Sequence, residues 1–226
     1  MDHGPVSGPI ASGPFVWFDF GGVLSPPLDE LFLRYEQVTG IPVDLFKYAI
    51  AEVGAQYGLP PLAPIELALL DERAWVRKLH AAIRAKEPDL DLSRSEADFG
   101  RQWFAGHQVN PAVRDFVIEL AEGGTPVGVL SNNVVEWEPH WRSMIDLDDV
   151  LSALVDSCRV GFRKPDAQIF AIAAEAAGVA PEQCVLIDDL AENCAAARAS
   201  GWTAVRFRDA GQAIAEVREV LDRWPG

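Results

Sequence analysis

The chain has 226 residues, of which 49% are hydrophobic, so it can bury the core of one large α/β domain or of a core with a smaller insert. Its formal net charge of −15 at pH 7 disfavours nucleic acid and anionic membranes as partners, because binding to them depends on Lys and Arg neutralising phosphates. No apolar run in the sequence approaches the ~20 residues needed to cross a bilayer.

The two features outside the main pattern are the N-terminus and the cysteines. Residues 1–14 are rich in Gly, Pro and Ser and lack the basic and apolar regions of a signal peptide, which predicts a flexible tail. Cys158, Cys184 and Cys194 are odd in number and form no CxxC pair. Reduced thiols in a cytoplasmic protein fit this pattern best.

Apolar runs typical of strands alternate with helical patterns along most of the chain. The strand-like runs are 15–20, 126–131, 151–156, 185–189 and 203–207. The helical patterns between and after the later runs are 110–122, 133–145, 166–178, 190–200 and 211–223. Such alternation predicts the α/β class, with a Rossmann-like parallel sheet that carries helices on both faces.

The long stretch between the first two strand-like runs departs from this rhythm. It contains only helical patterns, at 28–39, 43–56, 64–86 and 93–105. We therefore expect a helical domain over residues 27–108, inserted after the first strand of an α/β core that comprises residues 15–26 and 109–226.

Four segments place polar chemistry at the ends of strand-like runs or in a turn. They are FDFGGVL at 18–24, VLSNN at 129–133, GFRKPD at 161–166 and VLIDDLAEN at 185–193. In chain order they supply a carboxylate, a hydroxyl with amides, a lysine and a pair of carboxylates. Ligands of open α/β sheets bind at the carboxyl ends of the strands, where three of these segments are expected to lie.

This order of segments resembles the four signature motifs of the haloacid dehalogenase-like hydrolase superfamily. The helical stretch at 27–108 resembles the cap that this family inserts between its first two motifs, so the resemblance covers nearly the whole chain from Phe15 onward. It implies a phosphatase-type hydrolase that cleaves a small phosphomonoester through an aspartyl-phosphate. A phosphorylated metabolite such as a sugar phosphate is the first expectation for the substrate.

The resemblance also assigns roles to residues. Cleavage through an aspartyl-phosphate requires a carboxylate nucleophile, a cation beside it and donors for the phosphoryl oxygens. Asp19 is expected to be the nucleophile and Lys164 to bridge Asp19 and the phosphate. Ser131 and the Asn132 amide are expected to bind the phosphoryl oxygens.

Mg²⁺ is the expected cofactor, since it takes few carboxylates and keeps several waters. The resemblance implies that Asp19, the main-chain carbonyl of Gly21, Asp188 and Asp189 hold it, Asp189 directly or through water. Asn193 lies one helical turn beyond the acid pair and is expected to orient their loop.

Gly21 is a departure from the usual family pattern. Phosphatases of the family usually have a second Asp at this position as general acid and base, a role worth about 10²–10⁴-fold in rate. The metal role needs only the main-chain oxygen and is retained, whereas the proton-transfer role is lost. A subset of the family's sugar phosphatases has a similar DxG motif. His107 is a candidate substitute, although a structural role for it is the simpler interpretation.

Two alternatives stay open on the sequence. One is a hydrolytic 2-haloacid dehalogenase, in which Asp19 displaces halide without a metal. The other is a degenerate member that binds a phosphorylated ligand without turnover. The paired Asp188 and Asp189 favour the phosphatase, because a dehalogenase does not require them.

Substrate contacts are expected from polar-tipped and aromatic residues of the cap and of the segment after the second motif. These residues are Tyr57, Glu66, Arg73, Trp75 and Trp103 in the cap, and Trp137, His140 and Trp141 after the motif. Core packing is the simpler interpretation for most of the cap aromatics, and packing under the cap accounts equally well for the residues after the motif.

Overall fold

A computed structural model describes residues 13–224, so almost all of the predicted tail at 1–14 lies outside the described residues. The strands are β1 (Phe15–Phe18), β2 (Val127–Ser131), β3 (Ala153–Asp156), β4 (Cys184–Asp188) and β5 (Thr203–Arg206). All neighbouring pairs are parallel, in the order β3-β2-β1-β4-β5. Each strand coincides with a predicted run to within two residues, and the predicted α/β fold class is confirmed.

Helices connect the strands and fill the long interval between β1 and β2. They are α1 (Leu28–Thr39), α2 (Val43–Gln56), α3 (Ala63–Glu66), α4 (Glu72–Lys86), α5 (Phe99–Phe104), α6 (Pro111–Glu122), α7 (Glu138–Ile145), α8 (Ser157–Val160), α9 (Ala167–Ala177), α10 (Ala191–Ala199) and α11 (Ala210–Asp222). No helix in the described part of the chain is long and apolar enough to span a membrane.

The central strand, β1, divides the hydrophobic core between the two faces of the sheet. Its four side chains are all buried and alternate between the faces, as the pleat requires. Val16 and Phe18 pack in the cluster that includes α6 and α11, whereas Phe15 and Trp17 pack in the cluster that includes α9 and α10. A strand covered on both faces must be apolar throughout, which explains the unbroken FVWF run.

Gly128 on β2 allows the large aromatic rings of β1 to pack against the neighbouring strand. A Cβ atom at this position would lie 2.8 Å from the Trp17 ring and 2.9 Å from the Phe15 ring. Because these distances are far below ordinary contact, any side chain at residue 128 would force the rings or the strands apart.

Helices α1–α5 form an aromatic-rich layer on the Phe18 face of the sheet. Tyr35 of α1 stacks on Phe46 of α2, and Phe99 stacks on Trp103 within α5. The main-chain N–H of Asn110 donates to the Leu24 carbonyl at 2.7 Å and so joins the two ends of this inserted segment. The division of the chain into core and cap at residues 27–108 stays a prediction.

Helix boundaries in the insert differ from the sequence expectations. The pattern at 64–86 predicts one helix, but the structure has α3 and α4, separated where Ala68 has a positive φ of 52°. Asp71 then accepts a hydrogen bond from the Ala74 N–H at 2.6 Å, an N-cap that starts a new helix. The helix expected at 93–105 begins only at Phe99, because Asp98 caps it at the Arg101 N–H. The helical periodicity of apolar residues does not indicate such breaks between helices.

Candidate active site

Polar side chains from three adjacent strands meet at the carboxyl edge of the sheet. Asp19 follows β1 directly, Ser131 is the last residue of β2 and Asp188 is the last residue of β4. The chain runs from β1 to β2 toward one edge of the sheet and from β4 to β5 toward the other edge. Asp19 and Asp188 therefore flank the point where the strand order reverses, which is where ligands bind in open α/β sheets. All three side chains are buried.

Lys164 links the carboxylates at this edge. Its ammonium group lies 2.9 Å from Asp19 Oδ1 and donates to Asp188 Oδ2 at 2.7 Å and to the Leu130 carbonyl at 2.8 Å. Three acceptors match the three N–H donors of a lysine. Although burial lowers the pKa of Lys164, the charges of Asp188 and Asp19 raise it above its usual value. Lys164 is therefore a fixed positive charge beside Asp19.

Asp188 is held in place by its own loop and helix. Its Oδ1 accepts the Leu190 N–H at 2.9 Å, and the Asn193 side-chain amide donates to Oδ1 and Oδ2 at 3.0 and 3.1 Å. Asn193 is buried at the start of α10. From this position Asn193 can orient the Asp188 carboxylate.

Asp19, Asp188 and Asp189 form an acidic cluster that fits a divalent cation. Each offers one carboxylate oxygen, and these oxygens all lie within 4.8 Å of one another. Burial raises the pKa of Asp19 to about 8, an increase that Lys164 opposes and the other two carboxylates reinforce. Burial and the Asp188 charge likewise raise the pKa of Asp189. When all three carboxylates are ionised, their charge exceeds the single charge of Lys164, so a hard cation with oxygen ligands would offset the remainder and favour the ionised forms.

The two glycines after Asp19 differ in what they require. Gly22 has a φ of +73°, and a Cβ there would lie 2.7 Å from Asp189 Oδ2. Gly21 has a φ of −66° and a ψ of 119°, and no heavy atom lies within 4 Å of the position that its Cβ would occupy. The backbone therefore favours glycine at residue 22, whereas residue 21 has an ordinary φ and open space for a Cβ atom.

The segment after β2 supports both the lysine and the rim of the site. The Asn132 side chain accepts the Lys164 N–H at 2.7 Å and donates to the Lys164 carbonyl at 2.9 Å. This two-point contact fixes the turn that carries Lys164. This contact uses the side-chain oxygen of Asn132 and one of the two N–H donors of its amide group.

A pocket of about 220 Å³ opens beside Asp19, with Gly21, Asn132, Lys164, Asp189 and Asn193 among its lining residues. Its wall away from these groups is largely apolar and is formed by Leu28, Leu31, Leu62, Trp103, Phe104, Trp137 and Leu190. Helices α1 and α5 thus cover a site that the strands of the sheet create.

Glu66 and Arg163 also line this pocket and form an ion pair with each other. Arg163 Nε donates to Glu66 Oε2 at 2.7 Å. Burial raises the pKa of Glu66, and Arg163 opposes that increase. Glu66 is among the substrate-contact candidates predicted from the sequence, whereas Arg163 is not. The only sequence signal for Arg163 was its place beside Lys164.

The other substrate-contact candidates divide between pocket, core and surface. Trp103 and Trp137 line the pocket, whereas Trp75 and Trp141 are fully buried in the core. Tyr57 and Arg73 are exposed and do not line the pocket. His107 and His140 line a different surface depression, so His107 is not among the residues around Asp19.

Asp156, the last residue of β3, is a buried carboxyl with no role predicted from the sequence. It pairs in register with Ser131, and neither of its oxygens has a well-aligned hydrogen-bond partner among the described residues. Burial raises the pKa of Asp156 to about 7, and the neighbouring Cys158 opposes this increase. An unpartnered carboxylate is costly to ionise in such a place.

The shifted pKa of Asp156 predicts a pH-dependent stability. The folded protein holds the Asp156 proton up to about pH 7, whereas the unfolded chain releases it near pH 4, so stability falls as the pH rises through that window. Relative to Asp156→Asn, we expect the wild type to lose on the order of 3–4 kcal/mol in unfolding free energy between pH 4 and 8. Urea unfolding across this range measures the difference.

The exposed Asp115 on α6 provides the matched control for that experiment. An Asp115→Asn variant should follow the wild-type pH profile. If the curves of wild type and Asp156→Asn run parallel from pH 4 to 8, Asp156 is ionised in the folded state and the assignment is wrong.

The chain is similar in sequence to proteins of known families. The family model of the haloacid dehalogenase-like hydrolases matches residues 16–201. Over 187 residues, the chain is 27% identical to fructose-1-phosphate phosphatase YqaB of Escherichia coli, an alignment covering 77% of this chain and 98% of the relative. Over 212 residues, it is 23% identical to bifunctional epoxide hydrolase 2 of Rattus norvegicus, covering 90% of this chain. The chain spans only 38% of that rat protein's length.

Among solved structures, a similar one is a HAD family enzyme from Bacteroides thetaiotaomicron in complex with magnesium and inorganic phosphate. The TM-score is 0.64 at 18% identity, with 91% of this chain and 98% of the other covered. At this level of identity the likeness establishes a shared fold.

Proposed function

This chain belongs to the haloacid dehalogenase-like hydrolase family, and on that premise we propose that it is a Mg²⁺-dependent phosphatase acting on a small phosphomonoester. The observation that carries the proposal is the cluster of Asp19, Asp188 and Asp189 around the Lys164 ammonium group. A dehalogenase reaction has no need of the second and third carboxylates. The relative named as a fructose-1-phosphate phosphatase adds a sugar phosphate as a substrate class.

In the proposed reaction an oxygen of Asp19 attacks phosphorus as the bond from phosphorus to the leaving oxygen breaks. Lys164 offsets the charge that gathers between Asp19 and the phosphoryl group. Water then attacks phosphorus, which releases inorganic phosphate and restores the Asp19 carboxylate. Ser131 and the Asn132 main-chain N–H are the proposed donors to the phosphoryl oxygens.

The proposed Mg²⁺ ligands are Asp19, the Gly21 carbonyl, Asp188 and Asp189, and bound Mg²⁺ would neutralise phosphoryl charge. Asn193 keeps the Asp188 carboxylate turned toward the cluster. We place this activity in the cytoplasm, because the three cysteines are free and buried, as suits a reducing compartment.

Because residue 21 is glycine, no carboxylic acid at the usual position can protonate the oxygen of the leaving group. The rate of hydrolysis should therefore depend steeply on the pKa of the leaving group. We expect p-nitrophenyl phosphate to be cleaved much faster than an alkyl phosphate, with a sugar 1-phosphate between them. Gly21→Asp should raise kcat for the alkyl phosphate about tenfold, within the range of general-acid catalysis, and flatten the dependence. Steady-state kinetics over a series of phosphate esters measures the slope.

The geometry at residue 21 makes this variant a fair test, since an added Cβ atom meets no heavy atom within 4 Å and the residue has no positive φ. Gly21→Asn, which has the same shape but no acidic proton, is the control and should keep the steep slope. A folded Gly21→Asp variant with wild-type slope and rate would show that another group already supplies the proton.

The missing carboxylate at Gly21 is also the observation that favours a 2-haloacid dehalogenase as the second candidate. In that reaction Asp19 would displace halide from carbon, and water would hydrolyse the resulting ester. Chloride release from 2-chloropropionate, measured beside p-nitrophenyl phosphate hydrolysis with and without Mg²⁺, separates the two. Phosphate binding without turnover of either compound would indicate a degenerate member.

A further inference from the structure

The Glu66–Arg163 ion pair joins two distant parts of the chain at the pocket wall. Glu66 ends α3, and Arg163 precedes Lys164 in the turn after α8. The side chains are 10% and 20% exposed, and both line the pocket together with Asp19. The pair therefore lies where the organic part of a phosphate ester bound at Asp19 would extend.

The pair has hydrogen-bonding capacity that the protein does not use. Its single internal bond uses Arg163 Nε and Glu66 Oε2. Within residues 13–224, neither the terminal amino groups of Arg163 nor Glu66 Oε1 has a protein partner, and none of these atoms is sealed from the surface. Exposed donors and acceptors of this kind bond either to water or to a ligand. A ligand in the pocket could satisfy them.

The core of the protein fixes the position of this pair. Ser157 Oγ donates to the Glu66 carbonyl at 2.7 Å and accepts the Asn133 N–H at 3.0 Å. Glu66 is thus tied through its main chain to the segment that follows β2, and through its side chain to the turn that carries Lys164. Groups held by such contacts are pre-organised for binding.

The chemistry of the pair selects among possible partners. A lone guanidinium would favour a carboxylate or a second phosphate, but the Glu66 carboxylate cancels its charge and repels an anion. A hydroxyl group both donates and accepts, so it can bond to Arg163 and Glu66 together. Trp103 and Trp137 also line the pocket, and a largely apolar lining with a few polar groups is common in small-molecule sites.

We propose that Glu66 and Arg163 together bind a hydroxyl group of the substrate's organic part, so that the substrate is a polyol or sugar phosphate with a hydroxyl near the phosphate. This inference rests on the phosphatase function proposed above and assigns both residues to substrate specificity.

A series of three short phosphate esters tests the specificity. With saturating Mg²⁺, kcat/KM should be at least about thirtyfold higher for 1,2-propanediol 1-phosphate than for propyl phosphate, because a polar site rejects an analogue that leaves its groups unpaired. 3-Phosphoglycerate, which adds a carboxylate, should be no better than the diol ester. A clear preference for 3-phosphoglycerate would overturn the inference in favour of an anion site.

Removing both charges at once tests the residues. Breaking a buried pair by losing one partner leaves an isolated charge, whereas replacing both partners by apolar residues is often tolerated. In Glu66→Leu/Arg163→Met, the ratio of diol to propyl ester should fall to within about threefold of unity. The matched control is Glu138→Leu/Arg159→Met, since that pair is also joined at 2.7 Å but does not line this pocket. It should keep the wild-type ratio.

Glu66→Gln provides a second variant in case the double variant does not fold. It keeps the shape of the side chain, and the diol-to-propyl ratio should fall at least about fivefold. A wild-type ratio in either folded Glu66 variant would overturn the inference. Mg²⁺-dependent cleavage of p-nitrophenyl phosphate separates the failures: its absence in the wild type would reject the phosphatase itself, whereas cleavage without diol preference would reject only the role of the pair.

Discussion

Replacing Asp19 by asparagine is expected to lower kcat for p-nitrophenyl phosphate by at least about 10³-fold, in line with removal of a nucleophile from other covalent enzymes. The asparagine keeps the size of the side chain but cannot attack phosphorus. Since Asp19 also offers an oxygen to the acidic cluster, the variant should bind Mg²⁺ more weakly as well. Steady-state kinetics gives the loss of rate, and circular dichroism establishes that the variant is folded.

Beryllofluoride offers an independent readout for the same residue. It mimics an acyl-phosphate on a carboxylate, so it should inhibit the wild type and bind poorly to Asp19→Asn. Asp115→Asn, on the exposed side of α6, is the control and should retain full activity. Turnover above a few per cent of wild type in a folded Asp19→Asn variant would place the nucleophile elsewhere.

Removal of divalent cations is the second change with a large expected effect. EDTA should abolish phosphatase activity, and added Mg²⁺ should restore it, because the carboxylates of the cluster outnumber the single Lys164 charge and would otherwise repel the substrate phosphate. Mg²⁺ binding should also raise the melting temperature, since a ligand that binds only the folded state stabilises it. Calorimetric titration of Mg²⁺ into the metal-free protein measures the affinity without reference to turnover.

Asp189→Asn should weaken Mg²⁺ binding by at least about tenfold, because one carboxylate charge is lost from the cluster. Glu192→Gln removes an exposed carboxylate only three residues further along and is its matched control. Full activity in the presence of chelator would reject the metal assignment and favour the dehalogenase reaction.

The sheet and the position of the candidate site could be predicted because both depend on local patterns. An apolar run such as FVWF identifies a buried strand, and a polar residue at its end marks the carboxyl edge. Once the strands are parallel, Asp19, Ser131 and Asp188 must lie at that one edge. Their proximity therefore follows from topology, with no knowledge of individual contacts.

Contacts between distant segments could not be predicted in this way. Glu66 and Arg163 come from the insert and the core, and no spacing rule connects them. The same holds for the Ser157 hydroxyl that reaches the Glu66 carbonyl. These contacts depend on how α3 lies against the sheet, which is decided by packing in three dimensions.

The role of each glycine was also hidden in the sequence. Gly21-Gly22 indicates a turn, but only the dihedral angles show that residue 22 takes the positive φ. The close approach of Asp189 to Gly22 gives a second reason that no local pattern contains. The residue that departs from the usual family motif is thus the one with freedom to change.

The central place of β1 has a consequence for biosynthesis. A ribosome makes this strand before any of its partners, yet Phe15 pairs with Cys184 on one side and Val16 pairs with Val127 on the other. Until β4 has emerged, one edge of a fully apolar strand has no neighbour, and exposed apolar edges are prone to association with other chains. The nascent chain should therefore depend on chaperones until late in translation, and its pairing of distant segments should make refolding slow.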